Sequence, residues 1–100
     1  MEKTIEDSKG RRLVIRELTM RDRLRLFKAL GPELSLNEPY LGLAALAASV
    51  NAVDGVPLPF PANEAAVEHA VERLGEEGLD AVALATERAD PAVVQAQAGN

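Results

Sequence analysis

The sequence predicts an α+β fold that is mainly α: an N-terminal β-hairpin followed by about four helices. Two observations carry that class. Seventeen alanines and fourteen leucines dominate the apolar residues against three aromatics, and Ala and Leu lose little freedom in a helix. Glycine and proline then divide the chain after the hairpin into helix-length pieces. One hundred residues suffice for one domain, read here as residues 1–88, with a short helical or disordered tail over 89–100.

The hairpin is read from Thr4-Ile5-Glu6 and Leu13-Val14-Ile15-Arg16, with Gly10 supplying the positive φ of the connecting turn. A lone hairpin is marginal in water, so it must pack on the helices or pair with another chain. Thr19-Met20-Arg21-Asp22 has the form of a capping box and opens a first helix over about Met20–Leu30, stopped by Gly31-Pro32. Met20, Leu24, Phe27 and Leu30 read as its apolar stripe, and Arg21, Arg25 and Lys28 as a basic stripe on another face.

Asn37-Glu38-Pro39 starts a second helix whose body, Tyr40–Val53, is apolar nearly all round and so reads as central. Asp54-Gly55 turns the chain into Val56-Pro57-Leu58-Pro59-Phe60-Pro61, an extended stretch that holds Leu58 and Phe60 between prolines. That stretch is either a strap across the core or a presented apolar contact. A third helix over Glu64–Leu74 turns Val67, Ala70, Val71 and Leu74 inward and Glu64, Glu68 and Glu72 outward, and Gly75 ends it. A fourth, from Glu77 to Arg88, is broken by Asp90-Pro91, with Leu79, Val82, Ala83 and Thr86 on one side.

The chain has no cysteine, which excludes disulfides, thiolate chemistry and Cys-based zinc sites. The charged start lacks a signal-peptide run, and the 14-residue apolar stretch Tyr40–Val53 is too short to span a bilayer. A cytoplasmic location, with no membrane partner, is the expectation. His69 is the only histidine and has no triad or metal partner in view. The serines lack a nucleophile elbow, and the glycines are too dispersed to cradle phosphate. No enzyme, metal or cofactor is expected.

Charge is divided unevenly. Residues 1–31 carry nine basic and five acidic side chains, whereas residues 32–100 carry two basic and eleven acidic ones. The basic N-terminal third leaves open a small nucleic-acid-binding regulator, but the acidic whole, at net −5, and the absence of interleaved aromatics argue against it. The bland reading is two solvated faces of opposite sign. The basic stripe of helix one and the acidic stripe of helix three also suggest head-to-tail association between copies.

Taken with the hairpin, Arg12-Leu-Val-Ile-Arg-Glu-Leu18, Asp22-Arg-Leu-Arg-Leu-Phe-Lys-Ala-Leu-Gly-Pro32, Asn37-Glu-Pro-Tyr-Leu-Gly-Leu43 and Val53-Asp-Gly-Val-Pro-Leu-Pro59, the chain resembles the tail assembly chaperones of tailed phages and prophages over about residues 3–84. The resemblance rests on the order and spacing of structural residues. It implies a protein that binds the tape measure protein, keeps it soluble and is displaced as tail-tube protein assembles around it, with no cofactor and no active site. Leu41, Leu58 and Phe60 are the expected client contact, with Arg21, Arg25 and Lys28 as its polar rim; the alternative is that the three apolar residues are core.

Overall fold

The computed structural model describes residues 2–89. Four strands and three helices follow in the order β1 (Glu2–Glu6), β2 (Arg12–Arg16), α1 (Met20–Ser35), α2 (Glu38–Ala48), β3 (Val50–Val53), β4 (Val56–Pro57) and α3 (Glu64–Ala89). The class is the expected α+β, but the hairpin is half of a four-stranded antiparallel sheet with strands in chain order. Three helices stand where four were expected. The tail read over 89–100 lies, from residue 90 on, outside the described residues.

β1 and β2 pair in the hairpin register Glu6↔Arg12 to Glu2↔Arg16. The Asp7 carboxylate organises the turn by accepting from the amides of Lys9 and Arg11 and from the Arg11 guanidinium at 2.7 Å. β3 then pairs with β2, a use of the chain that periodicity hides. The apolar run Tyr40–Val53 has the pattern of one helix, yet α2 stops at Ala48 and Val50–Val53 is strand. Two things turn it. Asp54 and Gly55 both take positive φ, 50° and 81°, the geometry of a tight hairpin turn into β4. Asp54 also bonds Arg12 twice, accepting from its amide and donating to its carbonyl, both at 2.8 Å, which pins β3 to β2. Val50 and Val53 suit a strand, so pairing outweighs the helix preference of their neighbours.

Both helix breaks expected at glycine are present, as kinks inside longer elements. Gly31 (φ 83°, ψ 173°) and Gly75 (φ 68°, ψ −177°) occupy a backbone region open essentially to glycine alone. Past Gly31 the chain resumes one turn, Pro32–Ser35, with Pro32 at a first position where its missing amide does no harm. Past Gly75 the helix resumes and runs on to Ala89, so the two expected C-terminal helices form one bent element. Arg11 spans that bend: its guanidinium donates to the carbonyls of Arg73 (3.1 Å) and Leu74 (2.6 Å), which the break leaves without helical partners.

Two core clusters result. Leu13, Ile15, Val50 and Val53 of the sheet pack with Leu58, Ala70, Leu74, Leu79, Val82 and Ala85. Leu26 and Leu30 of α1 pack with Ala44 and Ala48 of α2 and Val67 of α3. On α3 the inward set is therefore as expected through Leu74, while beyond the bend Ala85 is buried and Thr86 exposed. On α1 the stripe is corrected: Met20, Leu24 and Phe27 are exposed, and only Leu30 of the expected set, joined by Leu26, faces the core.

The capping box at α1 is present as read. The Asp22 amide donates to Thr19 Oγ1 at 3.1 Å, and the Thr19 amide donates to Asp22 Oδ2 at 3.0 Å. That amide bond holds the Asp22 carboxyl below its ordinary value of 3.8 against the upward push of burial, helped by the Thr19 hydroxyl and by the charges of Arg16 and Arg25. Burial also pushes Asp7 up, but the Arg11 amide, the Arg11 guanidinium and the Lys9 amide outweigh it and leave this carboxyl low as well. A carboxyl that binds its proton more weakly when folded stabilises the fold above its unfolded value and stops doing so as pH falls through its folded value. Thermal stability should accordingly drop on acidification below about pH 4. Asp22→Asn should be less stable than the parent near neutrality and lose less on acidification; equal acid limbs in melting curves across pH would refute the assignment.

Candidate functional site

An open groove of about 750 Å³ lies between α1, α2, strand β2 and the C-terminal part of α3. Its apolar wall comes from Ile15, Leu18, Leu26, Phe27, Leu41 and Leu46, and its floor from Ala45 and Ser49. Lys3, Arg16 and Arg23 stand at its margin, with Glu17 the one acidic lining residue among the described residues. Small residues at position 45 of α2 and at its C-cap, Ser49, leave the space, since no side chain there reaches across toward α1. Leu18 precedes the Thr19 cap, where an apolar residue often staples onto the fourth helical position. That position is Arg23, an unsuitable partner for a staple, and both residues line the groove instead.

Of the residues expected to form the contact, the structure brings only Leu41 to this groove. Leu58 is corrected to core: it is 9% exposed, within the sheet-side cluster, and its amide donates to the Asn51 carbonyl at 2.7 Å. Phe60 is half-buried against the second cluster, and the guanidinium of Arg25 lies 4.4 Å from its ring centroid, with that of Arg16 at 5.6 Å. The proline-rich stretch is thus a strap: it contributes edge strand β4, then a core leucine, then a phenylalanine lid. Arg21 and Lys28 are exposed on α1, and Arg25, besides covering Phe60, lies 3.8 Å from Asp22.

The N-terminal cations do not act as one patch. Arg11 is committed to Asp7 and the α3 bend, and Arg16 lies between Asp22, at 3.8 Å, and the Phe60 ring. The Nε of Arg16 is buried without a hydrogen-bond partner, an uncompensated polar atom beside the groove.

A second, smaller depression of about 180 Å³ lies on the seam of α2 and α3, lined by Tyr40, Leu43, Ala44, Val67 and Val71 with Glu68 and Glu72 at its edge. Burial, the hydrogen bond that Tyr40 donates to Glu68 at 3.1 Å, and the nearby carboxylates raise the Tyr40 hydroxyl above its ordinary value. His69 is exposed, and among the described residues no three His, Asp or Glu side chains gather as a metal site. No helix among the described residues is long and apolar enough to cross a membrane.

Sequence reasoning missed Leu18, Arg23, Phe27 and Leu46 as groove residues. The available signal was a first helix with more apolar positions than one narrow stripe holds: Met20, Leu24, Leu26, Phe27, Leu30 and Leu34 span nearly half its circumference. No family model matches the chain, and neither a curated protein nor a solved structure matches it.

Proposed function

We propose that this chain is a tail assembly chaperone of the tailed-phage and prophage kind, which binds the tape measure protein and keeps it soluble until tail-tube protein displaces it. The observation that carries the reading is the open apolar groove with a cationic margin, which suits an amphipathic helix laid along α1 and α2. A tape measure protein presents long amphipathic helices and needs many modest contacts that can later be released. Repeated weak binding along one client multiplies into strong retention through effective concentration. The net charge of −5 keeps a coat of such copies dispersed. The contact residues in this reading are Phe27, Leu41 and Leu46, with Arg23 and Lys3 at the edge; Arg21, Arg25 and Lys28 do not line the groove. The work done is binding, with no bond made or broken.

Co-expression with a tape measure protein tests the proposal. The long client should move from the pellet to the soluble fraction and co-purify with this chain. A client that precipitates equally with and without the chain would end the reading.

A further inference from the structure

We infer that Arg16 reads acidic side chains on the helix that occupies the groove, so that the groove selects amphipathic segments whose apolar face is bordered by carboxylates. The backbone of Arg16 is fixed on two sides. It ends β2 opposite Glu2, and its amide donates to the Ser49 carbonyl, at the C-cap of α2, at 2.9 Å. Its guanidinium is held between the Phe60 ring, 5.6 Å from the centroid, and Asp22 at 3.8 Å. Neither contact is a hydrogen bond. The carboxylate across the strand pair, on Glu2, accepts from Asn51 instead. Among the described residues the guanidinium is therefore positioned with its donors unspent, and its Nε is buried without a partner.

The groove is where an acceptor can reach it. Arg16 lines the groove and keeps 29% of its side chain exposed. Lys3 and Arg23 line it too and form no ion pair among the described residues, against the single carboxylate of Glu17. This cationic surplus beside an apolar wall stands on a chain whose net charge is −5. An occupant that brought only leucines would strip water from the guanidinium and leave its donors unpaired, a net loss. One that sets a carboxylate beside its apolar row turns the same donors into charge-assisted bonds. The planar fork of arginine matches both oxygens of that carboxylate.

Order before binding decides which of the groove cations discriminates. Lys3 and Arg23 are exposed, and holding a free side chain in one geometry offsets most of what an exposed ion pair gains. Arg16 is half-buried and already held by the sheet, Phe60 and Asp22, so it loses little freedom when a ligand arrives. Phe60 and Asp22 act through it, as positioning residues. The inference rests on the groove's holding a client helix, as proposed above, and not on which protein supplies that helix.

Titration of the purified chain with three labelled helical peptides of about 18 residues, read by fluorescence anisotropy, decides it. The peptides share one leucine face and differ only in carrying Glu, Gln or Lys along its border. At low salt the Glu peptide should bind about tenfold tighter than the Gln peptide and the Lys peptide weakest, a gap that narrows at about 1 M salt. Arg16→Gln should bring the Glu-to-Gln ratio down to about twofold or less. Because a ratio is read, a general loss of stability does not imitate that result. Arg16→Lys keeps a charge beside Asp22 and loses only the fork; it should lower the ratio to about threefold and serves should Arg16→Gln fail to fold. Equal binding of the Glu and Gln peptides to the parent would overturn the inference and leave a helix-binding groove standing, whereas no binding by any peptide would remove both. A Glu preference with a client that still precipitates in co-expression would support the inference and remove the chaperone. An unchanged ratio in Arg16→Gln would pass the selectivity to Lys3 and Arg23, and displacement of the Glu peptide by a mixed-sequence oligonucleotide would pass the cations to phosphate; either result overturns the inference.

Discussion

On the proposed function, replacing Phe27 by aspartate should abolish solubilisation of a tape measure client while leaving the chain's own circular dichroism spectrum unchanged. Phe27 lines the groove yet is 41% exposed, so it contributes to a bound helix far more than to the fold. Aromatic anchors at the centre of an interface cost about 2–4 kcal/mol when removed, a weakening of about 30-fold or more at each contact. Because retention multiplies over many contacts on one client, the loss in a pelleting assay should be close to complete. The folding cost of an exposed substitution is about 0.5 kcal/mol. Leu43→Asp is the matched control: it lies on the opposite face of α2, so the variant should keep its affinity for a client fragment. Wild-type solubilisation by Phe27→Asp would place the client elsewhere on the molecule.

Leu13→Ala should be the most damaging single truncation. Leu13 has no exposed surface, stands opposite Ile5 on β1 and Val53 on β3, and belongs to the cluster beneath α3. Removing a fully buried leucine side chain costs about 2–5 kcal/mol, a large share of the roughly 5–15 kcal/mol that holds a domain folded. The urea midpoint should fall with its slope unchanged, whereas Leu24→Ala on the exposed side of α1 should move it by no more than about 0.5 kcal/mol. Equal midpoints for the two variants would contradict the inside–outside assignment of these leucines.

Features governed by a few adjacent residues were legible in the sequence. The capping box at Thr19 and Asp22, the turns at Gly10 and Asp54-Gly55, and the breaks at Gly31 and Gly75 all depend on φ restrictions and local hydrogen bonds. The inward face of α3 up to Leu74 was legible too, because there the apolar positions form one narrow stripe. β3 was not. Val50–Val53 continues an apolar helical run without a local stop, and only pairing with a strand 35 to 40 residues earlier, through Ile15↔Val50 and Leu13↔Val53, makes it extended. Leu58 and Phe60 shared one proline-rich context and separated only on folding, one into the sheet-side core and the other beneath two guanidinium groups.

By itself the sequence determined the class, the breaks and caps, and the opposition of a basic first third to an acidic remainder, since composition, glycine geometry and charge count need no neighbour. The tertiary structure decided which apolar residues became interior and which became surface. The first helix carries apolar side chains over nearly half its circumference, and α2 covers only the Leu26–Leu30 side, leaving Met20, Leu24 and Phe27 in water. Local periodicity can mark such an arc but has no term for how much of it a neighbouring helix will cover, so the groove and the exposed side of α1 emerge only once the layers are assembled.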